Sequence, residues 1–118
     1  LAVGRVVSPE TNNAVKLEKF VFDGIPIASQ SIVVETDRVE EFAPVKNASG
    51  TDSIVSSKQL QSLRAARWLS AHGVSVPMNN DGSVNATIEI CALTATCSDD
   101  LKGKELPASI EPGSTVEL

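Results

Sequence analysis

The sequence has few aromatic residues and few of the side chains on which most catalytic sites depend. Among its 118 residues are three Phe, one Trp and no Tyr, together with one His and two Cys. A core of this composition must be mostly aliphatic, and the single histidine leaves few candidates for a general base. Neither phosphate-binding glycine pattern, G-x-G-x-x-G or G-x-x-x-x-G-K-[ST], is present, and no G-x-S-x-G element accompanies the histidine. Dinucleotide-binding, P-loop and serine-hydrolase sites are therefore not predicted.

Clustered positive charge and long apolar runs are also lacking. The formal net charge is −5, and without a basic cluster we expect no nucleic-acid partner. The longest apolar runs, such as Ile32-Val33-Val34, are far too short to span a bilayer, so no membrane partner is expected. Hydrophobic residues make up 42% and charged residues 21% of the chain, which indicates a globular domain rather than disorder.

The two cysteines, Cys91 and Cys97, lie six positions apart without a C-x-x-C pattern or a neighbouring histidine. A zinc site needs about four nitrogen or sulfur ligands, which this region does not offer. In one extended strand the two sulfurs would lie roughly 20 Å apart, at about 3.3 Å per residue, whereas a disulfide needs Cα atoms within about 7 Å. We therefore expect two reduced, mostly buried thiols, as is typical of a cytoplasmic protein.

One helix is well signalled. Ser56 stands three residues before Gln59, a spacing that predicts a capping box at the start of the helix. Good helix formers follow, and Gly73 suits the left-handed residue that ends a helix. Apolar residues surround much of the helix, leaving Arg64 and Arg67 on a narrow polar stripe, so we expect packing on more than one side.

Several segments have the composition of strands. Residues 31–36 are β-branched and flanked by polar residues, which makes them the clearest strand of the chain. Residues 16–22 are ambiguous between a short strand and a helix end. The run 79–82, Asn-Asn-Asp-Gly, predicts a tight turn, and residues 84–96 after it alternate as a strand would.

Three titratable residues have an ordinary interpretation. Glu40 and Glu41 are most typical of a solvated turn. His72, near the predicted helix C-terminus, is more often a surface or packed group stabilised by the helix dipole than a catalytic base.

Two neighbouring segments match a known family. Residues 16–23, Lys-Leu-Glu-Lys-Phe-Val-Phe-Asp, resemble the K-[LM]-E-x-F-[VI]-F-D block of eukaryotic UDP-N-acetylhexosamine pyrophosphorylases. Residues 41–48, Glu-Phe-Ala-Pro-Val-Lys-Asn-Ala, resemble that family's E-F-[SA]-P-[LV]-K-N block. Residues 57–73 resemble the helix that follows, which ends in W-[LV]-x-x-x-G. Residues 94–101 depart from the family's S-Y-x-G-E-x-L motif, so no role is transferred to them.

The resemblance implies specific site residues. Enzymes of this family condense UTP with an amino-sugar 1-phosphate, releasing pyrophosphate, with Mg²⁺ as cofactor. The aromatic residues of the first block line the sugar pocket and correspond here to Phe20 and Phe22. The lysine of the second block reaches the nucleotide phosphates and corresponds to Lys46, which is thus the expected catalytic and substrate-binding residue. A flexible cation on a long stem suits phosphate oxygens, and Pro44 would limit the backbone freedom around it.

The resemblance also implies an architecture. The family's N-terminal L-x-x-G-x-G-T block is missing, and its enzymes are several times longer than this chain. We therefore expect a C-terminal fragment of α+β class that is inactive alone and binds no Mg²⁺. Residues 1–55 would be the C-terminal end of the catalytic nucleotidyltransferase domain, with its last strands, and 56–118 a helix plus a small β-rich C-terminal domain.

Two alternatives remain open. UDP-glucose pyrophosphorylases share an F-x-P-V-K element, so residues 42–46 alone do not separate the two classes of enzyme; the F-V-F-D block and Asn47 favour the N-acetylhexosamine enzymes. A non-enzymatic, β-rich interaction module could also have kept both blocks as packing. The expected partners are UTP and N-acetylhexosamine 1-phosphate in a complete, cytoplasmic enzyme. An exposed apolar surface around Phe20, Phe22 and residues 32–34 could support self-association.

Overall fold

The computed structural model of the chain describes Glu10, Val15 and residues 17–118. The chain divides into two units, Leu1–Val34 and Glu35–Leu118. Much of the beginning of the predicted 1–55 region therefore lies outside the described residues. The elements in chain order are a 3-10 helix Val21–Ile27, helix α1 Arg38–Glu41, helix α2 Ile54–Ala71, strand β1 Thr87–Glu89, a second 3-10 helix Ser98–Leu101 and strand β2 Thr115–Glu117. The predicted α+β class is confirmed at this coarse level.

The first unit contains the 3-10 helix Val21–Ile27, none of whose residues is buried. The strand predicted at 31–36 is wrong, because no residue from 17 to 36 belongs to a strand. The last strands of a nucleotidyltransferase sheet, expected before residue 56, are likewise not formed in the described part of that region. The physical reason is that β-branched residues favour a strand only where a neighbouring strand completes the hydrogen-bond ladder.

Helix α2 begins earlier than the sequence predicted. Its N-cap is Ser53, whose Oγ accepts a hydrogen bond from the Ser56 N–H at 3.2 Å, while the Ser53 N–H donates to Ser56 Oγ at 2.9 Å. The predicted capping box at Ser56 and Gln59 is thus wrong by three positions, because the serine expected to be the N-cap is the N3 partner. At the other end Gly73 has φ +84°, so the predicted left-handed stop is confirmed.

The core of the second unit forms where α2 packs on β1 and on the second 3-10 helix. The buried hydrophobic residues are Ala65, Ala66, Trp68, Leu69, Val74, Ile88, Ala95, Leu101 and Ile110. They form one cluster, and apart from Trp68 they are aliphatic, as the composition required. Because α2 contributes Ala65, Ala66, Trp68 and Leu69, it is the main scaffold of this unit.

The β structure is sparser than predicted. Strands β1 and β2 pair in parallel, with Thr87 opposite Thr115 and Glu89 opposite Glu117. The tight turn at 79–82 is confirmed: the Gly82 N–H donates to the Asn79 carbonyl at 3.0 Å, beside an antiparallel bridge between Met78 and Val84. Only Thr87–Glu89 of the predicted strand 84–96 forms, so the expected β-rich domain contains two short strands and isolated bridges within the described residues.

The chain turns after β1 around the cysteines. The N–H groups of Thr94 and Ala95 both donate to the Cys91 carbonyl, which bends the backbone away from a strand. Cys91 and Cys97 are free thiols, but Cys97 is exposed, so the expectation of mostly buried thiols is wrong for it. Its backbone N–H donates to Asp100 Oδ2 at 3.2 Å, which fixes Cys97 at the start of the second 3-10 helix rather than in the core.

None of the described helices combines the length and the apolar character that crossing a membrane requires.

Candidate functional site

Lys46 lies in the second unit with its backbone fixed and its side chain exposed. Its N–H donates to the carbonyl of Asp52 at 2.6 Å, and the Asn47 N–H donates to the same oxygen at 2.8 Å. Asn47 Nδ2 closes the loop by donating to the Thr51 carbonyl at 2.8 Å. The backbone of Lys46 is thus held in place, while its long side chain remains free to move in solvent.

The loop that supplies this anchor needs two left-handed residues. Gly50 has φ +73° and Asp52 has φ +56°. Glycine adopts such values without cost, and aspartate tolerates them better than most residues. Ser53 Oγ donates to the Gly50 carbonyl at 2.7 Å, so the residue that caps helix α2 also fixes the loop. The start of α2 and the backbone of Lys46 therefore form one hydrogen-bonded unit.

A second anchor precedes the lysine. The Ser57 hydroxyl, on α2, donates to the carbonyl of Ala43 at 2.7 Å. Ser57 is 4% exposed, and its oxygen also accepts a hydrogen bond from Gln61 Nε2 at 3.2 Å. A carbonyl paired with a buried hydroxyl is held more tightly than one exchanging with water, because leaving the hydroxyl unpaired would cost its desolvation. The segment 43–47 is thus attached at one end to α2 and at the other to Asp52, in the loop just before α2.

Glu40, for which the sequence predicted no contact, joins helix α1 to helix α2. Its Oε1 accepts a hydrogen bond from Arg67 Nη2 at 2.9 Å, and its Oε2 accepts one from Trp68 Nε1 at 2.8 Å. Arg67 Nη2 also donates to the Val39 carbonyl at 3.0 Å. The interpretation of Glu40 as a solvated turn residue is therefore wrong, whereas Glu41 is exposed. The partners lie 27 and 28 residues further along the chain, a separation that no local spacing rule detects.

A second arginine, Arg64, contacts the ring of Trp68. The Arg64 guanidinium carbon lies 4.7 Å from the centre of the Trp68 ring, and Arg64 Nη1 donates to the Glu40 carbonyl at 3.3 Å. Both arginines of the predicted polar stripe thus hold helix α1 against α2. Since a cation over an indole is attracted by the ring quadrupole, this contact adds to the ion pair.

Two clefts border the anchored segment within the second unit. The smaller, of about 210 Å³, lies between α1 and α2. The larger, an open groove of about 1310 Å³, starts at Ala48 and runs between the N-terminal half of α2 and the 79–87 region. Lys46 lines neither of these two clefts. The described residues therefore hold the lysine beside a groove rather than inside a closed pocket.

Phe20 and Phe22 lie in the first unit. Phe22 is in the 3-10 helix Val21–Ile27 and Phe20 immediately precedes it. Their side chains are 60% and 69% exposed, which is unusual for phenylalanine. The apolar residues 32–34 are exposed as well, so the predicted exposure of these side chains is confirmed. The two aromatic candidates, Phe20 and Phe22, thus belong to the first unit, and Lys46 belongs to the second.

His72 and the carboxylates of the described region form no metal site. Among the described residues no group of three or more His, Cys, Asp or Glu side chains could hold a metal ion. His72 Nε2 lies 2.8 Å from the Ser98 carbonyl, and because a carbonyl only accepts, this nitrogen bears the hydrogen. No described residue is therefore assigned to Mg²⁺.

Comparison with known proteins gives consistent relatives. The chain is 34% identical over 113 residues to human UDP-N-acetylhexosamine pyrophosphorylase-like protein 1, covering 84% of this chain and 22% of the relative. It is 37% identical over 93 residues to UDP-N-acetylglucosamine diphosphorylase 2 of Arabidopsis thaliana, covering 74% of this chain and 18% of the relative. A probable UDP-N-acetylglucosamine pyrophosphorylase of Caenorhabditis elegans is 38% identical over 68 residues, covering 56% of this chain and 14% of the relative. No family model matches the chain, and no solved structure does.

These relatives belong to one class of protein, the nucleotidyltransferases. The chain is homologous to UDP-N-acetylhexosamine and UDP-N-acetylglucosamine pyrophosphorylases over a short part of each. It spans about a fifth of the length of the first of these relatives. The resemblance inferred from residues 16–23 and 41–48 is thereby confirmed.

Proposed function

We propose that this chain supplies part of a uridylyltransferase that makes UDP-N-acetylglucosamine and pyrophosphate from UTP and N-acetylglucosamine 1-phosphate. The homology supports the class of reaction. The observation that supports a site in this chain is the anchoring of Lys46, whose backbone is hydrogen-bonded to Asp52 while its ammonium remains accessible. A group that neutralises phosphate oxygens needs both a fixed base and a free charged end.

In the proposed reaction a phosphate oxygen of the sugar 1-phosphate attacks the α-phosphorus of UTP. The bond from that phosphorus to the bridging oxygen breaks, and pyrophosphate leaves with the electron pair. Negative charge on the phosphoryl oxygens must be stabilised along this path, since phosphoryl transfer is catalysed mostly by positioning and charge. Lys46 would supply one positive charge to these oxygens.

Phe20 and Phe22 would form an apolar wall for the sugar in the complete enzyme. Two exposed aromatic rings can pack against the carbon face of a hexose and against its N-acetyl methyl group. This role requires further parts of the protein to surround the sugar. We therefore expect no pyrophosphate release from the isolated 118-residue chain.

The experiment is steady-state kinetics of pyrophosphate release by the complete enzyme, with substitutions in the Lys46 and Phe22 positions. Lys46→Ala is expected to lower kcat/KM by roughly 10²-fold, because one lost charge contact in a shielded site has about that effect. Lys46→Arg should restore only part of the activity, since a planar fork does not replace a point charge. Phe22→Ala should act chiefly on the KM for the sugar phosphate.

The matched control is Lys104→Ala, which removes another exposed lysine of this chain and should leave the rate unchanged. Near-normal kcat/KM in Lys46→Ala at unchanged melting temperature would show that the lysine is a bystander. Preference for glucose 1-phosphate over the N-acetyl sugar would favour the UDP-glucose class. Activity of the isolated chain would contradict the expectation that it is incomplete.

A further inference from the structure

Helix α2 contains two buried serines that connect it to different parts of the molecule. Ser57 is 4% and Ser62 is 5% exposed. Ser62 Oγ accepts a hydrogen bond from the Ile88 N–H at 3.1 Å, which ties α2 to strand β1. Ser57 instead ties α2 to the segment that bears Lys46, through the carbonyl of Ala43 at 2.7 Å. The two residues share type, helix and burial and differ in what they hold.

The hydroxyl of Ser57 makes a non-local bond where a local one is the usual choice. A serine inside a helix commonly donates to the carbonyl four residues earlier. That carbonyl, of Ser53, accepts the Ser57 backbone N–H at 2.9 Å, and the Ser57 hydroxyl donates to Ala43, 14 residues earlier in the chain. The side chain therefore fixes a distant backbone segment rather than its own helix.

The position of Ala43 makes this bond important for Lys46. Pro44 follows it directly and has no N–H, so the proline itself offers no donor by which the segment can be held. The proline ring also fixes its own φ near −65°, which reduces the backbone freedom between the Ala43 carbonyl and Lys46. The next anchor is the Lys46 N–H on the Asp52 carbonyl at 2.6 Å. Lys46 is thus bracketed by two anchors that both lead to the first turns of α2.

We propose that Ser57 is a positioning residue for Lys46: its buried hydroxyl fixes the Ala43 carbonyl and thereby sets where the Lys46 ammonium meets the substrate phosphates. This inference rests on the function proposed above. Ser57 does not touch substrate, so its whole effect on the rate passes through Lys46. A misplacement of about 1 Å can lower a rate by up to about 10²-fold, and a loosened segment allows such displacements.

The first test measures backbone motion in the 118-residue chain, without reference to activity. Amide hydrogen exchange of Lys46 and Asn47 is compared between Ser57→Ala and Ser62→Ala, with the melting temperature of each recorded. Each variant loses two hydrogen bonds of a buried hydroxyl: those with Ala43 and Gln61 in Ser57→Ala, and those with the N–H and carbonyl of Ile88 in Ser62→Ala. Similar losses of stability are therefore expected. Exchange at the two amides should be at least about fivefold faster in Ser57→Ala than in Ser62→Ala. Equal exchange in the two variants would overturn the proposal.

The second test is a double-mutant cycle on kcat in the complete enzyme. Ser57→Ala should lower kcat about tenfold with the KM for the sugar phosphate unchanged, and Ser62→Ala should leave kcat within about twofold. In a Lys46→Ala background, adding Ser57→Ala should change kcat by no more than about twofold, because the group that it positions is gone. A purely structural serine would lower kcat equally in both backgrounds, and that result would overturn the proposal.

The two hypotheses fail in different ways. If Lys46→Ala alone has no effect on kcat/KM, the proposed function of the lysine is wrong, and the role of Ser57 falls with it. If Lys46→Ala is strongly impaired but Ser57→Ala behaves as Ser62→Ala does, the lysine keeps its role and only the positioning proposal is overturned.

Discussion

The two units of this chain differ in how far their apolar residues are buried. In the first unit the described residues 17–34 are all exposed, with Val33 at 97%. In the second unit α2 buries one face against β1 and the second 3-10 helix, and Leu69 is fully buried. Yet both units contribute a block that resembles the pyrophosphorylases. Similarity to a family and possession of a core are therefore separate properties of a segment.

The difference follows from which partners each unit has. A short apolar segment is stabilised by burial, at roughly 25 cal/mol for each Å² of apolar surface removed from water. The second unit has helix α2 of 18 residues, long enough to present a continuous buried face. The described part of the first unit has the seven-residue 3-10 helix Val21–Ile27 and no other helix or strand. The free energy of unfolding of this chain should therefore depend on the second unit.

The largest expected effect tests that dependence directly. Leu69→Ala should lower the free energy of unfolding by about 3–5 kcal/mol, because it removes a fully buried side chain and leaves a cavity. Val33→Ala should change it by less than about 0.5 kcal/mol, as is usual for exposed positions. Urea denaturation followed by the fluorescence of Trp68 measures both. A comparable loss in Val33→Ala would show that the first unit also contributes packing.

The second effect compares a glycine from each unit. Gly73 has φ +84° and Gly24 does not have a positive φ, while an added Cβ would meet nothing within 4 Å at either position. Gly73→Ala should therefore cost about 1–2 kcal/mol from backbone conformation alone. Gly24→Ala should be neutral within about 0.5 kcal/mol. Thermal denaturation of the two variants decides it, and equal melting temperatures would contradict a helix stop that depends on the left-handed residue.

A smaller effect is expected at the contact between helices α1 and α2. Glu40→Gln removes the charge that pairs with Arg67 at 2.9 Å. Since both side chains are about a third exposed, the pair is partly screened by solvent, and the expected loss is about 0.5–1 kcal/mol. Trp68 is the only tryptophan, so its emission should shift in Glu40→Gln and remain unchanged in Glu41→Gln. Identical emission spectra in the two variants would contradict the contact between Glu40 and Trp68.

The smallest effect concerns pH at the surface of the second unit. Hydrogen bonds from the Thr96 N–H, the Thr96 hydroxyl and the Cys97 N–H hold the pKa of Asp100 below its usual value. A folded pKa below the unfolded one adds stability that is present above the unfolded pKa and is lost as pH falls through the folded pKa. Thr96→Val should raise the pKa of Asp100 partway toward its usual value. An NMR titration of the Asp100 carboxyl measures this, and an unchanged pKa would contradict the role of the hydroxyl.

Local sequence signals predicted the helix, its glycine stop and the turn at 79–82, because each depends on residues close together in the chain. The α+β class was instead expected from the resemblance to the pyrophosphorylases. The helix start was misplaced because Ser53 and Ser56 both suit an N-cap, and only Ser53 has the extended backbone that capping requires. The strand at 31–36 was predicted from β-branched composition, which indicates a strand only when another strand lies beside it.

The candidate residues Phe20, Phe22 and Lys46 came from motif resemblance, and their proposed roles stay predictions. The bonds that hold the lysine segment and helix α1 to helix α2 could not be read from the sequence. Ser57 with Ala43 and Glu40 with Arg67 and Trp68 join positions 14 to 28 residues apart. Composition shows that such side chains can form hydrogen bonds but not with which partners.

The sequence by itself determined the homology to part of the pyrophosphorylases, the aliphatic character of the core and the local turns, since these depend on residue types and short spacings. Only the tertiary structure decided which polar side chains are buried, and therefore that Ser57 holds the segment of Lys46 and Glu40 holds helix α1, while Glu41 remains in solvent. The physical reason is that a hydrogen bond between distant residues forms only after the helix on which one partner lies has packed. Until then, each donor and acceptor is equally well satisfied by water.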